Sequence, residues 1–201
     1  METLIKSILQ HVQLSPEEIA VCKSFWTEKT LEKGDFLLRN GEICRHDSYI
    51  ISGVLKAFCI NEDNGNEEIL FLAIDHWWAT DIASFSKQKP SIYNIQAVEK
   101  TKLLQISHQS FQKMLKEIPS LERYFRIILE SYLGTLEKRV VFNHMHKAEQ
   151  KYYDFLEIYP DISSRVPQYL IASYLGVTPE FISRIRKKIN PLELDQFFRI
   201  K

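Results

Sequence analysis

The chain has 201 residues, 45% of them hydrophobic, and its 26 basic and 26 acidic side chains leave a formal net charge of zero. The hydrophobic content is sufficient for apolar cores, and the length allows one or two domains. Because the net charge is zero, the chain as a whole has no electrostatic field that would attract nucleic acid. No apolar run approaches the roughly 20 residues of a membrane span, and METLIKSILQHVQL lacks the apolar core of a signal peptide. We therefore expect a cytoplasmic protein with no membrane partner.

The sequence contains no pattern of residues that is typical of an enzyme active site or a metal site. Cys22, Cys44 and Cys59 are odd in number and far apart, which favours reduced, mostly buried thiols. His144 and His146 are two residues apart, so on a helix they point in different directions. There is no CxxC pair, P-loop or glycine-rich dinucleotide fingerprint. We predict no metal, no cofactor and no enzymatic activity.

In the first half of the chain the sequence pattern changes from one typical of helices to one typical of strands. Residues 2–29 are predicted to be helical, with a helix start at Ser15-Pro16-Glu17-Glu18. Short apolar segments separated by turns then extend to about Ser107, which is typical of a sandwich or barrel; they are DFLLR, SYIIS, VLKAFCI, EEILFLAI, YNIQAV and TKLLQIS. The Asn64-Gly65 pair predicts a type I′ hairpin.

Helices are predicted to follow the strands. A short helix over 107–116 stops at Ile118-Pro119, and a long one runs from Pro119 to about Met145. The long helix carries two apolar stripes, so one can cover the barrel while the other meets a second copy; these are Leu121, Phe125, Ile128, Tyr132 and Thr135, and Leu129, Leu133, Leu136 and Val140. A single helix buried on all sides is the alternative. A further helix over 147–159 is expected to end at Pro160.

The segment 168–187, QYLIASYLGVTPEFISRIRK, has the spacing of a helix-turn-helix. Small Ala172 allows the two helices to cross closely, and Gly176 can adopt a left-handed turn. Thr178 as N-cap and Pro179 at the first helical position restart a helix. The expected apolar seam consists of Ile171, Leu175, Val177, Ile182 and Ile185.

The second helix of this motif is predicted to expose a polar face that fits the DNA major groove. The outward residues are Thr178, Glu180, Ser183, Arg184 and Lys187. Residues 163–190 contain five basic residues and one acid, a local positive surplus suited to DNA. A helical hairpin that packs inside a globular domain remains the alternative interpretation.

The whole arrangement resembles the Crp/Fnr family of bacterial transcription regulators, in particular its short Bacteroidetes-type members. The resemblance is carried by LEKGDFLLRNGE, YIISGVLKAF, NGNEEILFL and LGVTPEFISRIRKKI. It implies an α+β fold with a cyclic-nucleotide-binding-like β-roll of jelly-roll type and N-terminal helices over 1–118. A central dimerisation helix over 119–146 and a helix-turn-helix DNA-binding domain over 147–201 would follow.

By position, the resemblance implies that Arg184 and Glu180 read bases. An arginine can bond bidentately to guanine and a carboxylate can accept from cytosine. Thr178, with Pro179 beside it, and Gln168 match phosphate-contacting positions, while Lys187 could reach backbone or base. Glu180 could instead be a first-turn acid favoured by the helix dipole. Arg186 and Lys188 lie off the outer face and are expected to be solvated.

The phosphate-binding cassette of cyclic-AMP-binding relatives, FGELxLF followed by Arg-Ser, is absent. The corresponding segment is HWWATDIASFSKQKPSIYNIQA, with Ser91 where the phosphate-binding arginine would stand. The sequence therefore argues against classical cyclic-AMP binding. Candidates for the pocket of another effector are Trp77, Trp78, Asp81, Ser91 and Tyr93. These aromatic residues could equally be ordinary core.

Together these features predict a homodimeric regulator on a pseudo-palindromic operator, controlled by an unidentified small effector. Its partners would be double-stranded DNA and itself, with RNA polymerase as a further candidate. The predicted dimer interface consists of Phe125, Ile128, Tyr132 and Thr135. The competing hypothesis is a small-ligand or cyclic-nucleotide sensor whose helix-turn-helix serves packing or protein interaction.

Overall fold

The computed structural model of the chain describes residues 1–159 and 162–188, except for the side chains of residues 163 and 188. The elements follow in the order α1 (Glu2–Leu9), α2 (Pro16–Ser24), β1 (Thr27–Leu31), β2 (Phe36–Leu38), β3 (His46–Ser52), β4 (Leu55–Ile60), β5 (Glu67–Ala73), α3 (Ile82–Lys87), β6 (Asn94–Ala97), β7 (Thr101–Ser107), α4 (His108–Glu117), α5 (Ser120–Met145), α6 (Ala148–Ile158), α7 (Ile162–Arg165), α8 (Gln168–Leu175) and α9 (Pro179–Lys188). In the described part, no helix is both long and apolar enough to cross a bilayer.

Two antiparallel sheets face each other and form a β-roll. One has the strand order β1-β7-β3 and the other the order β2-β6-β4-β5. Alternate side chains point inward, so Ile50, Leu55 and Leu103 from both sheets meet in one fully buried cluster. Strands β2 to β7 fall within or next to the six predicted segments, and the mixed helix and strand content of the prediction is confirmed.

The predicted helix over 2–29 is wrong at its end, because its last residues are extended and belong to strand β1. Residues 27–31 pair with β7, from Thr27 opposite Gln105 to Leu31 opposite Thr101. Only Leu31 of this strand is buried. A polar edge strand has no apolar alternation, which is why the pattern gave no strand signal here.

The hairpin between β4 and β5 is present, but its predicted type I′ turn is wrong. That turn needs positive φ at both central residues, and only Gly65 has it, with φ of 72°. The loop closes instead between Asn61 and Asn66, whose backbone N–H and carbonyl are 2.9 Å apart. The side-chain oxygens of Asn61 and Asn64 accept nearby backbone N–H groups. These Asx turns favour the longer loop.

Helices cover the outer face of the sheet β1-β7-β3. Leu4 and Ile8 of α1 and Met114 of α4 are fully buried there beside Tyr49 and Leu104 of the sheet. Helix α5 joins this layer with its first turns through Leu121 and Tyr124. Helix α4, capped by Ser107, and α5 agree closely with the predicted helices.

The C-terminal helices cover the outer face of the other sheet. Phe58, Ile69 and Leu72 of strands β4 and β5 share one buried cluster with residues of α6, α8 and α9. Tyr159 donates its hydroxyl to the carbonyl of Leu72 at 3.0 Å. This sheet is therefore buried on both faces. The predicted end of α6 at Pro160 lies outside the described residues, and the expected link over 162–166 contains the short helix α7.

An ion-pair cluster joins the C-terminal helices to the roll. The guanidinium of Arg165 donates to both carboxylate oxygens of Asp75 at 3.1 Å and to Glu99 at 2.5 Å. Asp75 also accepts the N–H of Gly53 at 2.6 Å. Partial burial acts to raise the pKa of Asp75, but the Arg165 and Gly53 hydrogen bonds outweigh it and lower that pKa.

Gly53 gives a test of this junction. Its φ is 123°, and an added Cβ would lie 2.6 Å from the Cα of Thr101. We predict that Gly53→Ala lowers the free energy of unfolding by about 2–4 kcal/mol in urea denaturation. Gly134→Ala in α5 is the control, because a Cβ there meets nothing within 4 Å and helix propensity should add up to about 1 kcal/mol. Equal unfolding free energies for Gly53→Ala and wild type would contradict this account.

Candidate functional site

The helix pair α8 and α9 is joined by the turn that the sequence predicts. Gly176 ends α8 with φ of 66°, and its N–H donates to the carbonyls of Ala172 and Ser173. The hydroxyl of Thr178 accepts the N–H of Phe181 at 3.2 Å, and Pro179 opens α9. The left-handed turn and the N-cap are thus confirmed in the described residues.

The apolar side chains of the pair meet between the two helices. Ile171, Ala172, Leu175, Ile182 and Ile185 are buried, as expected from their spacing. Val177 is half-buried against the same cluster. Small Ala172 is 1% exposed and belongs to the same cluster. The apolar side chains between the two helices therefore form a packed core.

The opposite face of α9 is open to solvent. Thr178, Pro179, Glu180, Arg184 and Lys187 are exposed, while Gln168 and Ser183 are half-buried. The guanidinium carbon of Arg184 lies 5.2 Å from the ring centre of Phe181, close enough for a cation–π contact. Six of the seven residues predicted to contact DNA thus lie in α9 or directly before it, and the seventh, Gln168, is the first residue of α8.

Arg186 corrects one expectation. It is half-buried rather than solvated, and its Nε donates to the hydroxyl of Tyr152 at 2.9 Å. This bond turns the side chain away from the exposed face and towards α6. The side chain of residue 188 and residues 189–201, which belong to the predicted DNA-binding domain, lie outside the described residues.

Polar contacts that the sequence did not indicate place α8 on the roll. The hydroxyl of Ser173 donates to the carbonyl of Glu67 at 2.8 Å and accepts the N–H of Ile69 at 3.1 Å. Arg139 of α5 donates to the carbonyls of Leu70 and Tyr174. These contacts join side chains to backbone groups far away in sequence, so no local pattern could reveal them.

In the segment that corresponds to the phosphate-binding cassette, the buried carboxylate of Asp81 bonds to groups of the same segment. Asp81 is 5% exposed, and its Oδ1 caps α3 by accepting the N–H of Ser84 at 3.0 Å. The hydroxyl of Ser91 lies 2.7 Å from Asp81 Oδ2 and 2.9 Å from the carbonyl of Tyr93. The phosphate position expected from the resemblance is thus faced by a carboxylate and a serine, without the usual arginine.

A cavity of about 500 Å³ lies beside this region, between α3, α4 and α5. Trp77 and Trp78 line it, whereas Asp81, Ser91 and Tyr93 do not. The structure therefore brings only two of the five predicted pocket residues to this cavity. Trp78 also packs on Tyr49 and Phe125, with ring centres 5.4 Å apart in both pairs. The tryptophans thus serve the core as well as the cavity wall.

Asp47 is a cavity residue that the sequence analysis missed. Its carboxylate accepts the hydroxyl of Thr80 and, at 2.9 Å, the N–H of Ser48. Burial is nevertheless dominant and raises the pKa of Asp47 to about 6. The residue stands one position before a predicted strand, where sequence pattern does not distinguish a buried carboxyl from a solvated one.

The two stripes of α5 have different environments. Phe125 and Ile128 pack against the roll of their own chain. Tyr132 is 38% exposed and Thr135 is half-buried at the cavity. In the other stripe Leu133 and Val140 are 56% and 59% exposed. The predicted interface residues therefore divide between an intrachain role and the edge of an uncovered apolar face.

The three cysteines are free thiols, two of them buried and Cys59 half-buried. Burial is the main cause that raises the pKa of the Cys44 thiol, to about 11. Among the residues described, no group of three or more His, Cys, Asp or Glu side chains is arranged to hold a metal ion.

Comparison with known proteins finds a family match over the β-roll. Residues 28–118 match the family model described as cyclic nucleotide-binding domain. No curated protein sequence matches the chain significantly. This match covers the β-roll with α3 and α4, and helices α1, α2 and α5 to α9 lie outside it.

Solved structures extend the likeness over most of the chain. FixK2 from Bradyrhizobium japonicum is similar with a TM-score of 0.70 at 16% identity, over 81% of this chain and 83% of that one. CLP from Xanthomonas campestris, described as a c-di-GMP-responsive global regulator, gives 0.67 at 16% over 90% and 93%. A mutant of CooA from Carboxydothermus hydrogenoformans gives 0.65 at 18% over 90% and 82%. At these identities the likeness establishes a common fold.

Asp47 makes the stability of the roll depend on pH. The unfolded chain loses this proton near pH 3.9, while the folded chain keeps it until about pH 6. The free energy of unfolding should therefore fall between pH 4 and pH 6 by on the order of 2 kcal/mol relative to Asp47→Asn. The amide oxygen of that variant can still accept from Thr80 and Ser48. Exposed Asp63→Asn is the control, and parallel pH profiles of wild type and Asp47→Asn in urea denaturation would refute the shift.

Proposed function

We propose that the chain is a sequence-specific DNA-binding transcription regulator of Crp/Fnr type that acts in the cytoplasm as a homodimer. The observation that carries the proposal is the exposed face of α9. Glu180, Arg184 and Lys187 are held in solvent while the apolar side of the same helix is buried. A rigid helix with polar, basic residues on one free face is suited to the major groove.

Within this face the residues are assigned different roles. Arg184 is proposed to read a guanine and Glu180 a cytosine, since these side chains match those base edges. Gln168, Thr178 and Pro179 lie at the starts of α8 and α9, where helix N-termini favour phosphate. Ser183 and Lys187 complete the surface. Phosphate contacts orient the protein, and base contacts supply the preference.

The proposed dimer forms through α5. Its uncovered apolar face includes Leu133 and Val140, seven residues apart and both more than half exposed. This spacing suits a parallel helix pair. Tyr132 and Thr135 flank that face, while Phe125 and Ile128 contribute by fixing α5 on the roll. A two-fold dimer would place its recognition helices in major grooves about 10–11 base pairs apart on a pseudo-palindrome.

The effector, in this proposal, is not a classical cyclic nucleotide. A phosphate placed by the cassette would meet the Asp81 carboxylate, which is already committed to Ser84 and Ser91. Such a contact costs free energy because like charges repel in a buried site. The effector would bias the balance between DNA-competent and incompetent dimers. RNA polymerase is proposed as a further partner on the resemblance alone.

A second candidate function has one observation in its favour. The helix α8 packs directly on β5 through Ser173, which is consistent with a sensor whose C-terminal helices serve packing. Packing does not need the exposed basic face of α9, however. The salt dependence of DNA binding separates the two functions, because a DNA-binding surface releases counterions and a packing module does not bind.

Arg184 and Gln168 should have different effects on DNA binding. Arg184→Ala is expected to weaken binding to the preferred operator by about 10- to 100-fold and to leave random DNA almost unchanged. Gln168→Ala should weaken both alike, because a phosphate contact carries no sequence information. Arg123→Ala, which removes an exposed charge on α5, is the matched control. Equal losses on both DNAs in both variants, measured by fluorescence anisotropy, would refute the assigned roles.

The apolar face of α5 can be tested by a charge. Leu133→Glu and Val140→Glu should each convert the dimer to a monomer, because a desolvated carboxylate opposes its own copy across the two-fold axis. Lys138→Glu places the same carboxylate on an exposed position of the helix and should leave the dimer intact. The measurement is molar mass by light scattering after gel filtration. A dimer in both apolar-face variants would rule out this interface.

A further inference from the structure

The cavity under α5, the space of about 500 Å³ between α3, α4 and α5, has the size of a small-molecule site. The cassette residues Asp81 and Ser91 do not line it. Of the described residues that line it, Asp47 alone is acidic and Arg139 alone is permanently cationic, while most of the others are apolar or aromatic. A ligand of this cavity would therefore meet one carboxyl group, one guanidinium and a largely apolar wall.

One carboxylate oxygen of Asp47 has no hydrogen-bond partner in the described part of the chain. Asp47 is 9% exposed, and its Oδ1 accepts both the hydroxyl of Thr80 and the N–H of Ser48. No described group donates to Oδ2. Oδ2 also keeps contact with open space, since it is not among the fully enclosed polar atoms that lack a partner. A buried carboxyl thus presents one unused acceptor to the cavity that it lines.

No cation of the described fold neutralises this carboxyl. Among the residues that the structure describes, no Lys, Arg or His side chain forms an ion pair with Asp47. Burial raises the pKa of Asp47 to about 6, so the carboxyl is still mostly ionised at neutral pH. A buried carboxylate without a counter-ion costs free energy. A cationic ligand would supply the missing partner.

Aromatic rings close to Asp47 form a wall that suits an ammonium compound. Trp78 lies two residues before Thr80, and its ring centre is 5.4 Å from that of Phe125. The ring centre of Phe125 is in turn 4.7 Å from that of Phe111. All three rings line the cavity and are only half-buried, so they keep surface that a ligand can cover. The faces of such rings attract cations, and their apolar area favours contact with an aromatic body.

Arg139 lies at the far end of the same cavity, where its guanidinium is already used. It follows Phe125 by about 21 Å along the axis of α5. Its guanidinium donates to the carbonyls of Leu70 and Tyr174, and its central carbon lies 4.1 Å from the ring centre of Tyr174. Arg139 therefore joins α5, β5 and α8, whereas Oδ2 of Asp47 is unused. A second positive charge on a ligand would be repelled at the Arg139 end, so the cavity suits a monocation.

We propose that the cavity under α5 binds an aromatic monoamine as its ammonium ion. The ammonium group donates to Oδ2 of Asp47, and the aromatic body lies against Trp78, Phe111 and Phe125. The assignment of this ligand as the effector rests on the proposed function, whereas its binding to the cavity does not.

The test uses 2-phenylethylamine as the probe in isothermal titration calorimetry with the full chain, at neutral pH and without DNA. Asp47→Asn should weaken its binding by about 10- to 100-fold, because the variant removes a charge-assisted hydrogen bond. The amide oxygen of the variant can still accept from Thr80 and Ser48, so the fold should be kept. Asp63→Asn is the matched control, because Asp63 is exposed and does not line the cavity.

Two analogues separate the charge of the ligand from its shape. The neutral 2-phenylethanol should bind wild type and Asp47→Asn alike, and about tenfold or more weakly than the amine binds wild type. The anion 3-phenylpropanoate should bind more weakly than the amine, because the Asp47 carboxylate repels it. The proposal is overturned if 2-phenylethylamine does not bind wild type, if its affinity is the same in Asp47→Asn, or if 3-phenylpropanoate binds as tightly.

The effector role is measured separately, as a change in affinity for the preferred operator. The amine should shift that affinity by about fivefold or more in wild type and should leave it unchanged in Asp47→Asn. Binding of the amine without such a shift would overturn the effector role alone. A protein that binds the amine but no DNA under any condition would contradict the proposed function and leave the ligand site supported.

Discussion

The arrangement of this molecule depends on the sheet β2-β6-β4-β5, which is buried on both faces. Its inner face packs on the other sheet through Leu55 and Ile95, and its outer face packs on α6, α8 and α9 through Ile69 and Leu72. Burying one such side chain stabilises the fold by roughly 1.5–3 kcal/mol. Helices that carry the candidate DNA surface are thereby anchored to the domain that would sense an effector.

This anchoring puts the proposed sensing domain in direct contact with the helices of the candidate DNA surface. Arg139 of α5 donates to carbonyls of β5 and to that of Tyr174 in α8, so one side chain links these three elements. Arg165 adds an ion-pair junction with Asp75 and Glu99. A ligand in the cavity under α5 would lie against Arg139, Tyr159 and Tyr174, which line it. A change there would act directly on the supports of α8 and α9.

Sequence pattern was sufficient where a local rule governs the structure. The six apolar strands, the helix ends at Ser107 and Ile118, and the turn at Gly176 all follow from alternation, capping or positive φ. Strand β1 escaped because an exposed edge strand has no apolar pattern. Sequence pattern did not reveal the roles of Ser173 and Arg165, because their partners are distant in sequence. It did not reveal the role of Asp47, because burial decides the pKa of that carboxyl. For the candidate DNA surface, spacing predicted the exposure of four outward residues, but Ser183 is half-buried and Arg186 turns inward to a tyrosine that no motif specifies.

The central claim is that the exposed face of α9 reads a specific DNA sequence. Selection of bound sequences from a random duplex library, with purified full-length protein and no added ligand, tests it most directly. The account predicts enrichment of a pseudo-palindrome with half-sites about 10–11 base pairs apart, and loss of that enrichment in Arg184→Ala. A folded dimer that enriches no sequence, both alone and after addition of a metabolite extract, would contradict it.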